Sequence, residues 1–299
     1  MLLRGATEEE RQSRDVLTFA TWGAVLSLPE YLERERVLRA HPWAAVAMET
    51  WLLCDGATIV CSCESFGMTS RIGDQPGTSW GIASVFTEPF HRGHRHASLL
   101  VDQVAARLLD REPTSQAVVL YSEVGAAIYE RAGFFAVPTF EWRVPAAPSA
   151  RVEGLILDDV LEAGAWPELG QDQIAIWPSP TQLDWHLCRE RFFAAKRNRR
   201  APGRHRLRLG EDFVLVAADL KHGELLGLLA HVSPDTVESL MRAVGDLAWQ
   251  LGLSGVRLWE PEGASVPSFV ERNESDASLP MLRARQPLAW RGPAKGIWV

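Results

Sequence analysis

The sequence predicts an α/β protein made of two lobes, and three observations support this prediction. The chain has 299 residues, of which 46% are hydrophobic and 23% are charged, so it can bury one large core or two ordinary ones. Short apolar runs typical of strands alternate with stretches in which apolar residues recur at helical spacing. A Pro- and Ala-rich stretch at 144–150 predicts a linker between a first lobe at 1–143 and a second at 151–299.

Charge, hydropathy and cysteine content argue against several classes of protein. Acidic residues outnumber basic ones by 38 to 31, a net charge of −7, which does not suit a protein that coats nucleic acid. No apolar run reaches the ~20 residues of a membrane span, and the acidic start MLLRGATEEE does not fit a signal peptide. The cysteines at 54, 61, 63 and 188 fit neither a disulfide framework nor a zinc-ligand spacing. We therefore expect a cytoplasmic protein without a membrane partner.

The elements of the first lobe can be justified in order. Thr7 with Glu10, and Ser27 with Glu30, have the spacing of capping boxes and predict two helix starts. Apolar and β-branched runs predict strands at 44–54, 57–66, 79–87, 117–122 and 134–142, with a loop at 67–78. Between 97 and 108 the apolar residues recur at intervals of three and four, which predicts an amphipathic helix. A short helix is expected at 126–133.

The order strand, basic glycine-bearing loop, helix, strand at 79–122 predicts a crossover unit. Such a connection makes its two strands parallel. Ligands of these sheets bind beyond the carboxyl ends of the strands, next to the start of the connecting helix. We therefore expect the chemistry near 85–97 and 121–129.

The second lobe repeats this order of elements. Its sequence predicts a strand hairpin at 212–232, a helix that begins after Ser233-Pro234 and ends at Gly252, and a further strand at 255–260. The loop before its helix has no Arg-Gly element. The second lobe is therefore expected to share the architecture of the first without its anion-binding loop.

The segment VFTEPFHRGHRHA at 85–97 is a candidate anion site. A loop that enters a helix exposes backbone N–H groups without acceptors inside the helix, and the helix dipole favours negative charge there. Gly93 allows the backbone to approach a ligand closely, while Arg92 and Arg95 add positive charge. The alternative is an ordinary basic turn between a strand and a helix.

The segment LYSEVGAAIYERAGFF at 120–135 contributes a candidate acid. A phenol beside a departing thiolate can donate a proton to it, and Tyr129 lies on the short helix behind the strand. The alternative is that Tyr129 only packs in the core.

Together, RGxxxA at a helix start and a tyrosine in the pattern YxxxGF some thirty residues later resemble the GNAT superfamily of acyl-CoA-dependent N-acyltransferases. Within it, the chain is most similar to the fungal lysine N-acetyltransferase family. That likeness extends over both halves through TWG (21–23), LPEYLERE (28–35), SCES (62–65), IASVFT (82–87), HRG (91–93), LYSEVG (120–125), RLWEP (257–261) and SLPMLR (278–283). The resemblance implies a mixed twisted sheet flanked by helices and a second lobe that is itself GNAT-like.

The resemblance also implies the site residues and acetyl-CoA as co-substrate, without a metal. It places the backbone groups of Val85 and Thr87 beside the pantetheine arm and Tyr129 at the general-acid position. It places the CoA pyrophosphate on the amides of Arg92, Gly93, His94, Arg95, His96 and Ala97. Arg95 departs from the usual pattern, which has glycine there. Its guanidinium is expected to reach a phosphate oxygen, the alternative being a partly lost pocket.

The acceptor is expected to be a small primary amine, and free lysine follows only from the resemblance. A lysine-type amine has a pKa of ~10.4, so about one molecule in 2,500 is neutral at pH 7. Forming the neutral amine at that pH therefore costs about 4.6 kcal/mol. A base must offset that cost. Strand 79–87 has no carboxylate, so Glu64 and Glu123 are the candidate bases, although either can be a structural carboxylate.

Three other features have competing interpretations. His91, His94 and His96 invite a metal site, but their spacing is not that of a zinc-binding helix pair. The basic run at 196–208 is typical of a solvated loop rather than of a nucleic-acid site, because no aromatic residues interleave with it. Trp185 and His186 are expected at the interface between the lobes, with the amine pocket as the alternative.

The leading hypothesis is therefore an enzyme in which the amine attacks the thioester directly, without a covalent intermediate. A second enzyme hypothesis keeps the fold and takes a protein terminus, a polyamine or an aminoglycoside as acceptor. A hypothesis of another class is a non-catalytic acyl-CoA sensor or interaction module whose anion loop is spoiled by Arg95.

Overall fold

The computed structural model describes residues 1–23, 25–199, 201–274 and 278–298. The helices in chain order, α1 to α7, are Glu8–Trp22, Leu28–Arg39, Pro42–Ala47, His96–Leu109, Ala127–Glu130, Pro180–Arg197 and Val237–Gln250. The strands β1 to β8 are Leu2–Gly5, Met48–Asp55, Thr58–Ile72, Gln75–Thr87, Ser115–Ser122, Phe135–Ala136, Phe140–Pro145 and Ile156–Asp158. The strands β9 to β16 are Gln173–Ile176, Arg206–Leu209, Asp212–Asp219, Glu224–His231, Gly255–Trp259, Glu271–Glu274, Leu279–Ala284 and Ala289–Trp290.

The first sheet has the strand order β1-β2-β3-β4-β5-β15-β6, with β9 and β16 attached at the end of β3. Strands β4 and β5 are parallel, as the crossover predicts, and helix α4 connects them. Their pairing runs from Thr78 opposite Ser115 to Ile82 opposite Leu120 and goes no further within the described residues. The carboxyl ends of the two strands therefore separate.

A bulge in β4 accompanies this separation. Ser62 and Glu64 of β3 pair with Phe86 and Ala83, so β4 has extra residues opposite one position of β3. Ser84 has a φ of 52°, a left-handed conformation that is uncommon for a residue with a side chain. A bulge bends its strand, and here the bend directs β4 away from β5.

The second sheet has the order β14-β7-β13-β12-β11-β10-β8. The hairpin β11–β12, helix α7 and the parallel strand β13 reproduce the order of elements in the first lobe, which confirms the α/β fold class. The sheets exchange strands across the predicted linker: β7, from the first half, pairs with β13, while β15, from the second half, pairs with β5. The proposed boundary at 144–150 thus begins inside β7.

Several elements differ from the sequence-based prediction. The stretch predicted as a loop at 67–78 is a hairpin, because β3 continues to Ile72 and β4 begins at Gln75. Residues 44–47 belong to helix α3, which His41 caps and Pro42 begins. The run at 134–142 divides around Pro138 into β6 and β7, because proline cannot donate a ladder hydrogen bond.

Both predicted capping boxes are present, at Thr7 and Ser27, so these two helix starts are confirmed. Helix α4 buries the predicted apolar stripe, including Leu100, Val104 and Leu108, against the first sheet. Of the helices in the described ranges, none is long and apolar enough to cross a membrane.

We expect Gly227→Ala to destabilise the second sheet by about 1–3 kcal/mol, because an added methyl overpacks a site without room. A Cβ at Gly227 would lie 2.4 Å from Cβ of Leu258 on the neighbouring strand. Urea unfolding measures the change, and Gly5→Ala is the control, since its Cβ meets nothing within 4 Å. Equal unfolding midpoints for the two variants would contradict this account of the packing.

Candidate active site

The separated ends of β4 and β5 form a cleft next to the start of helix α4. Val85 and Thr87 lie on the part of β4 beyond its last pairing with β5, so the edge of β4 that faces the cleft is without a strand partner within the described ranges. Both residues are half-buried. Unpaired strand edges offer backbone donors and acceptors to an extended ligand.

The loop from 92 to 97 leads into α4 through two left-handed residues. Gly93 has a φ of 83° and Arg95 a φ of 63°. A Cβ on Gly93 would meet no heavy atom within 4 Å, so glycine is favoured here by the left-handed backbone and not by lack of space. A left-handed residue other than glycine costs about 1–2 kcal/mol, a strain that Arg95 carries as the N-cap of α4.

The chemistry of this loop suits an anion. Arg92, Gly93, His94 and Arg95 are exposed, and His96 and Ala97 are half-buried. The first amides of α4 have no acceptor within the helix, so they remain available to a ligand. Arg92 Nε donates to the carbonyl of Thr87 at 3.1 Å, which ties the loop to the end of β4.

The three histidines of the loop lie close to one another. The rings of His94 and His96 stack with centroids 5.8 Å apart, and the His91 ring lies 6.2 Å from that of His96.

A second group of side chains that could bind a metal lies in the other lobe. Asp219, His222 and Glu224 bring their ligand atoms within 4.8 Å of one another. Arg257 Nε donates to Glu224 at 2.7 Å, so the Glu224 carboxylate is already paired with a positive side chain.

Tyr129 lies in α5, packs in the core cluster that contains the buried face of α4 and is 8% exposed. Its hydroxyl has no hydrogen-bond partner within the part of the chain that the structure describes. Burial, with smaller contributions from Cys63, Cys61 and Glu123, raises the pKa of the phenol to about 12. The hydroxyl therefore carries its proton at neutral pH.

The two candidate bases have different surroundings. Glu64 is 5% exposed, and its Oε1 accepts from Arg14 at 2.9 Å, while Oε2 has no partner in the described ranges. Glu123 follows β5 and is exposed. Glu64 is thus held in one position by an ion pair, whereas Glu123 is reached directly by water.

Arg14 of helix α1 is a site residue that sequence reasoning missed. Its guanidinium donates to Ser62 Oγ at 2.9 Å, to Glu64 and to the backbone carbonyl of Ser84 at 2.6 Å. These three acceptors belong to both sides of the bulge that opens the cleft. An arginine in the amphipathic helix at 8–22 gave no sequence signal of this role, because its partners lie about 50 and 70 residues away.

An aromatic cluster is the second missed feature, and it lies where the second lobe meets the end of β5. The Tyr121 ring lies 5.1 Å from that of Trp259, 6.0 Å from Trp290 and 6.5 Å from Trp298. Lys295 is buried among these rings. Burial lowers the pKa of its ammonium to about 8, against the attraction of Glu141.

Trp185 and His186 of α6 are buried between the lobes. Trp185 packs on Trp43 and donates from Nε1 to the carbonyl of Leu38 at 3.1 Å. His186 Nε2 donates to the carbonyl of Gly296 at 3.1 Å, and burial lowers the pKa of His186 to about 3. Both therefore have the packing role that the sequence favours.

The basic run at 196–208, apart from Arg200, which lies outside the described residues, contacts the protein itself. Lys196 pairs with Glu33 at 2.6 Å, and Arg206 with Asp158 at 2.9 Å. Arg199 and Arg204 donate to backbone carbonyls. The run is thus only partly a solvated loop, because 196–197 belong to α6, 206–208 belong to β10 and His205 is buried against Glu190 at 3.0 Å.

Comparison with known proteins gives one relative in sequence and several in structure. No family model matches the chain. It is 23% identical to a lysine acetyltransferase of Yarrowia lipolytica, over 88% of this chain and 85% of that protein. A GCN5-related N-acetyltransferase from Anabaena variabilis superposes with a TM-score of 0.56 and 13% identity, over 95% of this chain and 73% of that one. A GCN5-related N-acetyltransferase from Kribbella flavida gives 0.55 and 20%, over 95% and 71%.

The chain therefore has the GNAT fold, which confirms the resemblance inferred from the motifs.

We expect Arg14→Met to destabilise the protein by about 3–5 kcal/mol, because it leaves the buried Glu64 carboxylate and the Ser84 carbonyl without their donor. The double variant Arg14→Met/Glu64→Gln removes the uncompensated charge and is expected to recover part of the loss. Arg11→Met, one turn earlier on the same helix, is the control. Urea unfolding of the four proteins measures the effect, and a similar loss in Arg11→Met would contradict it.

Proposed function

From its GNAT fold, we propose that this protein is an acetyl-CoA-dependent N-acetyltransferase that acts on a small primary amine. The observation that carries the proposal is the separation of β4 from β5 directly beside the loop 92–97. An unpaired strand edge and a set of unpaired amides then lie side by side. Pantetheine needs backbone hydrogen-bond partners and fits the strand edge. Pyrophosphate needs N–H donors and positive charge and fits the loop amides.

The cofactor is proposed to bind with its diphosphate on the amides from Arg92 to Ala97. Its pantetheine arm would then lie along β4 at Val85 and Thr87. The exposed guanidinium of Arg95 supports retention of the site, since it can reach solvent and a phosphate without displacing core atoms. Acetyl-CoA supplies the thioester, and the reaction requires no other cofactor.

The proposed reaction is a direct transfer. The neutral amine attacks the carbonyl carbon of the thioester, the new C–N bond forms and the C–S bond breaks. The departing thiolate takes a proton from Tyr129, while the nitrogen loses its extra proton to a base. Glu64 and Glu123 both remain candidates, either directly or through water. The raised pKa of Tyr129 keeps the proton in place until the thiolate forms.

The acceptor class is proposed as a primary amine on a short carbon chain, with free lysine as one member. Support comes from the relative in Yarrowia lipolytica, which is named a lysine acetyltransferase. A panel of lysine, polyamines, an aminoglycoside and an N-terminal peptide, assayed for CoA release, distinguishes the possible acceptors. Acyl-CoA binding without turnover on any of them would favour the sensor hypothesis.

We expect Tyr129→Phe to lower kcat about 10²- to 10⁴-fold, because it removes the general acid. Its stability should change little, since the hydroxyl makes no hydrogen bond within the described ranges. CoA affinity is measured in parallel by calorimetry. Tyr31→Phe is the control: it loses a buried bond to Thr18 Oγ1 at 3.0 Å but none of the proposed chemistry. A Tyr129→Phe enzyme with wild-type kcat would refute the assignment.

We expect the Tyr129 phenol to ionise about two pH units above an ordinary tyrosine, because burial favours its neutral form and raises its pKa from 10 to about 12. The ultraviolet difference between wild type and Tyr129→Phe during alkaline titration isolates this one phenolate. No phenolate signal is expected below about pH 11. A midpoint near pH 10 would place the hydroxyl in water instead.

We expect Arg95→Gly to weaken CoA binding about two- to tenfold, because an exposed charge-assisted contact to phosphate is lost while the fold is kept. The salt dependence of the dissociation constant should fall with it. Arg151→Gly, at an exposed position outside the proposed site, is the control. An unchanged Kd for CoA in Arg95→Gly would remove this residue from the cofactor site.

A further inference from the structure

Lys295 occupies a cage of aromatic rings and acceptors. It is 1% exposed, and its ammonium lies 4.8 Å from the ring centroid of Trp259 and 5.5 Å from that of Trp298. Nζ donates to Glu141 Oε2 at 3.2 Å and to Ser278 Oγ at 3.4 Å. Two ring faces, a carboxylate and a hydroxyl around one nitrogen are the elements with which proteins recognise an alkylammonium ion.

The cage adjoins the end of β5, on one side of the first sheet. Tyr121, the penultimate residue of β5, packs on Trp259, and its hydroxyl donates to the carbonyl of Ala294 at 3.5 Å. Its neighbour Leu120 faces the other side, with helix α4. Glu64 and Phe66 lie two positions apart on β3, so their side chains point to the same face of the sheet. Phe66 and Tyr121 belong to the same core cluster, so Glu64 lies on the Tyr121 face. The cage therefore lies on the face that carries a candidate base.

Packing alone does not account for a lysine at this position. An apolar side chain would fill the volume without the cost of burying a charge. Lysine is also scarce in this chain, which has three among its 31 basic residues. The indole Nε1 atoms of Trp259 and Trp290 are buried without a hydrogen-bond partner in the described ranges, so donors beside the cage are still unused.

A cavity of about 150 Å³ continues from the cage and is lined by Trp259, Glu260 and Lys295, among others. It provides space for atoms beyond the ammonium group. The segment that carries Lys295 is a short 3₁₀ turn, Lys295–Ile297, near the end of the chain. All three residues of this turn are buried, so an acceptor reaches the cage only if the turn moves.

We propose that this cage is an ammonium-binding subsite for the acceptor and that Lys295 fills it as a built-in occupant. The ligand class is a primary alkylammonium ion with a short carbon chain. The role of the subsite in catalysis rests on the proposed acetyltransferase function, whereas its ability to bind an ammonium ion does not. An acceptor would then compete with the segment 295–297 for Trp259 and Glu141.

The binding part is tested by refilling the cage from solution. Lys295→Ala removes the occupant, and we expect n-propylammonium to raise its Tm in a saturable manner. Neutral n-propanol, which cannot bind Glu141, should have no such effect. Lys295→Met, whose side chain still fills the space, and wild type are the controls. If Lys295→Ala does not fold unaided, the same amine should restore folding where the alcohol does not. A variant indifferent to the amine would overturn the proposal.

The catalytic part is tested with acceptor kinetics on the same proteins. We expect KM for a short alkyl amine to fall at least fivefold in Lys295→Ala, with KM for acetyl-CoA unchanged. Adding Glu141→Gln to that variant should cancel the gain. An unchanged amine KM in a folded, amine-binding variant would show that the cage is separate from the acceptor site. If no protein turns over any amine, the proposed function fails, and the Tm experiment still decides whether the cage binds ammonium.

Discussion

The guanidinium of Arg14 holds together the part of the molecule on which the rest of the site depends. It joins helix α1 to Ser62 and Glu64 of β3 and to the carbonyl of Ser84 in β4. Ser84 has a left-handed backbone, which needs support from its surroundings to persist. The bulge at Ser84 turns β4 away from β5. That separation leaves an edge of β4 unpaired beside the loop at 92–97, where we propose that the cofactor binds.

The exchange of strands between the sheets brings side chains from both halves of the chain to Lys295. Strand β7 leaves the first half to join the second sheet, and β15 returns to pair with β5. Glu141 on β7 and Ser278 before β15 thereby reach the ammonium of Lys295 from opposite sheets. Neither sheet is therefore complete without a strand from the other half of the chain.

Local sequence patterns predicted several elements of the first half of the chain. The capping boxes at Thr7 and Ser27, the apolar stripe of α4 and the buried run of β5 each depend on residues a few positions apart. The hairpin at 67–78 was wrongly predicted as a loop because many of its residues are polar. Its strand β3 is stabilised by pairing with β9 and β4, which the local sequence does not encode. The division of the final run around Pro138 also depended on which sheet each part joins.

The sequence alone determined the fold class and the family resemblance and predicted the anion loop, since these depend on spacing along the chain and on residue type. Only the tertiary structure decided that Arg14 clamps the bulge, that Glu64 is ion-paired and that Lys295 is enclosed by tryptophans. The partners of Arg14 lie 48 to 70 positions away and Glu141 lies 154 positions from Lys295, so no local pattern encodes these contacts. The energy of a buried charge is set by what surrounds it, and those surroundings exist only after the chain has folded.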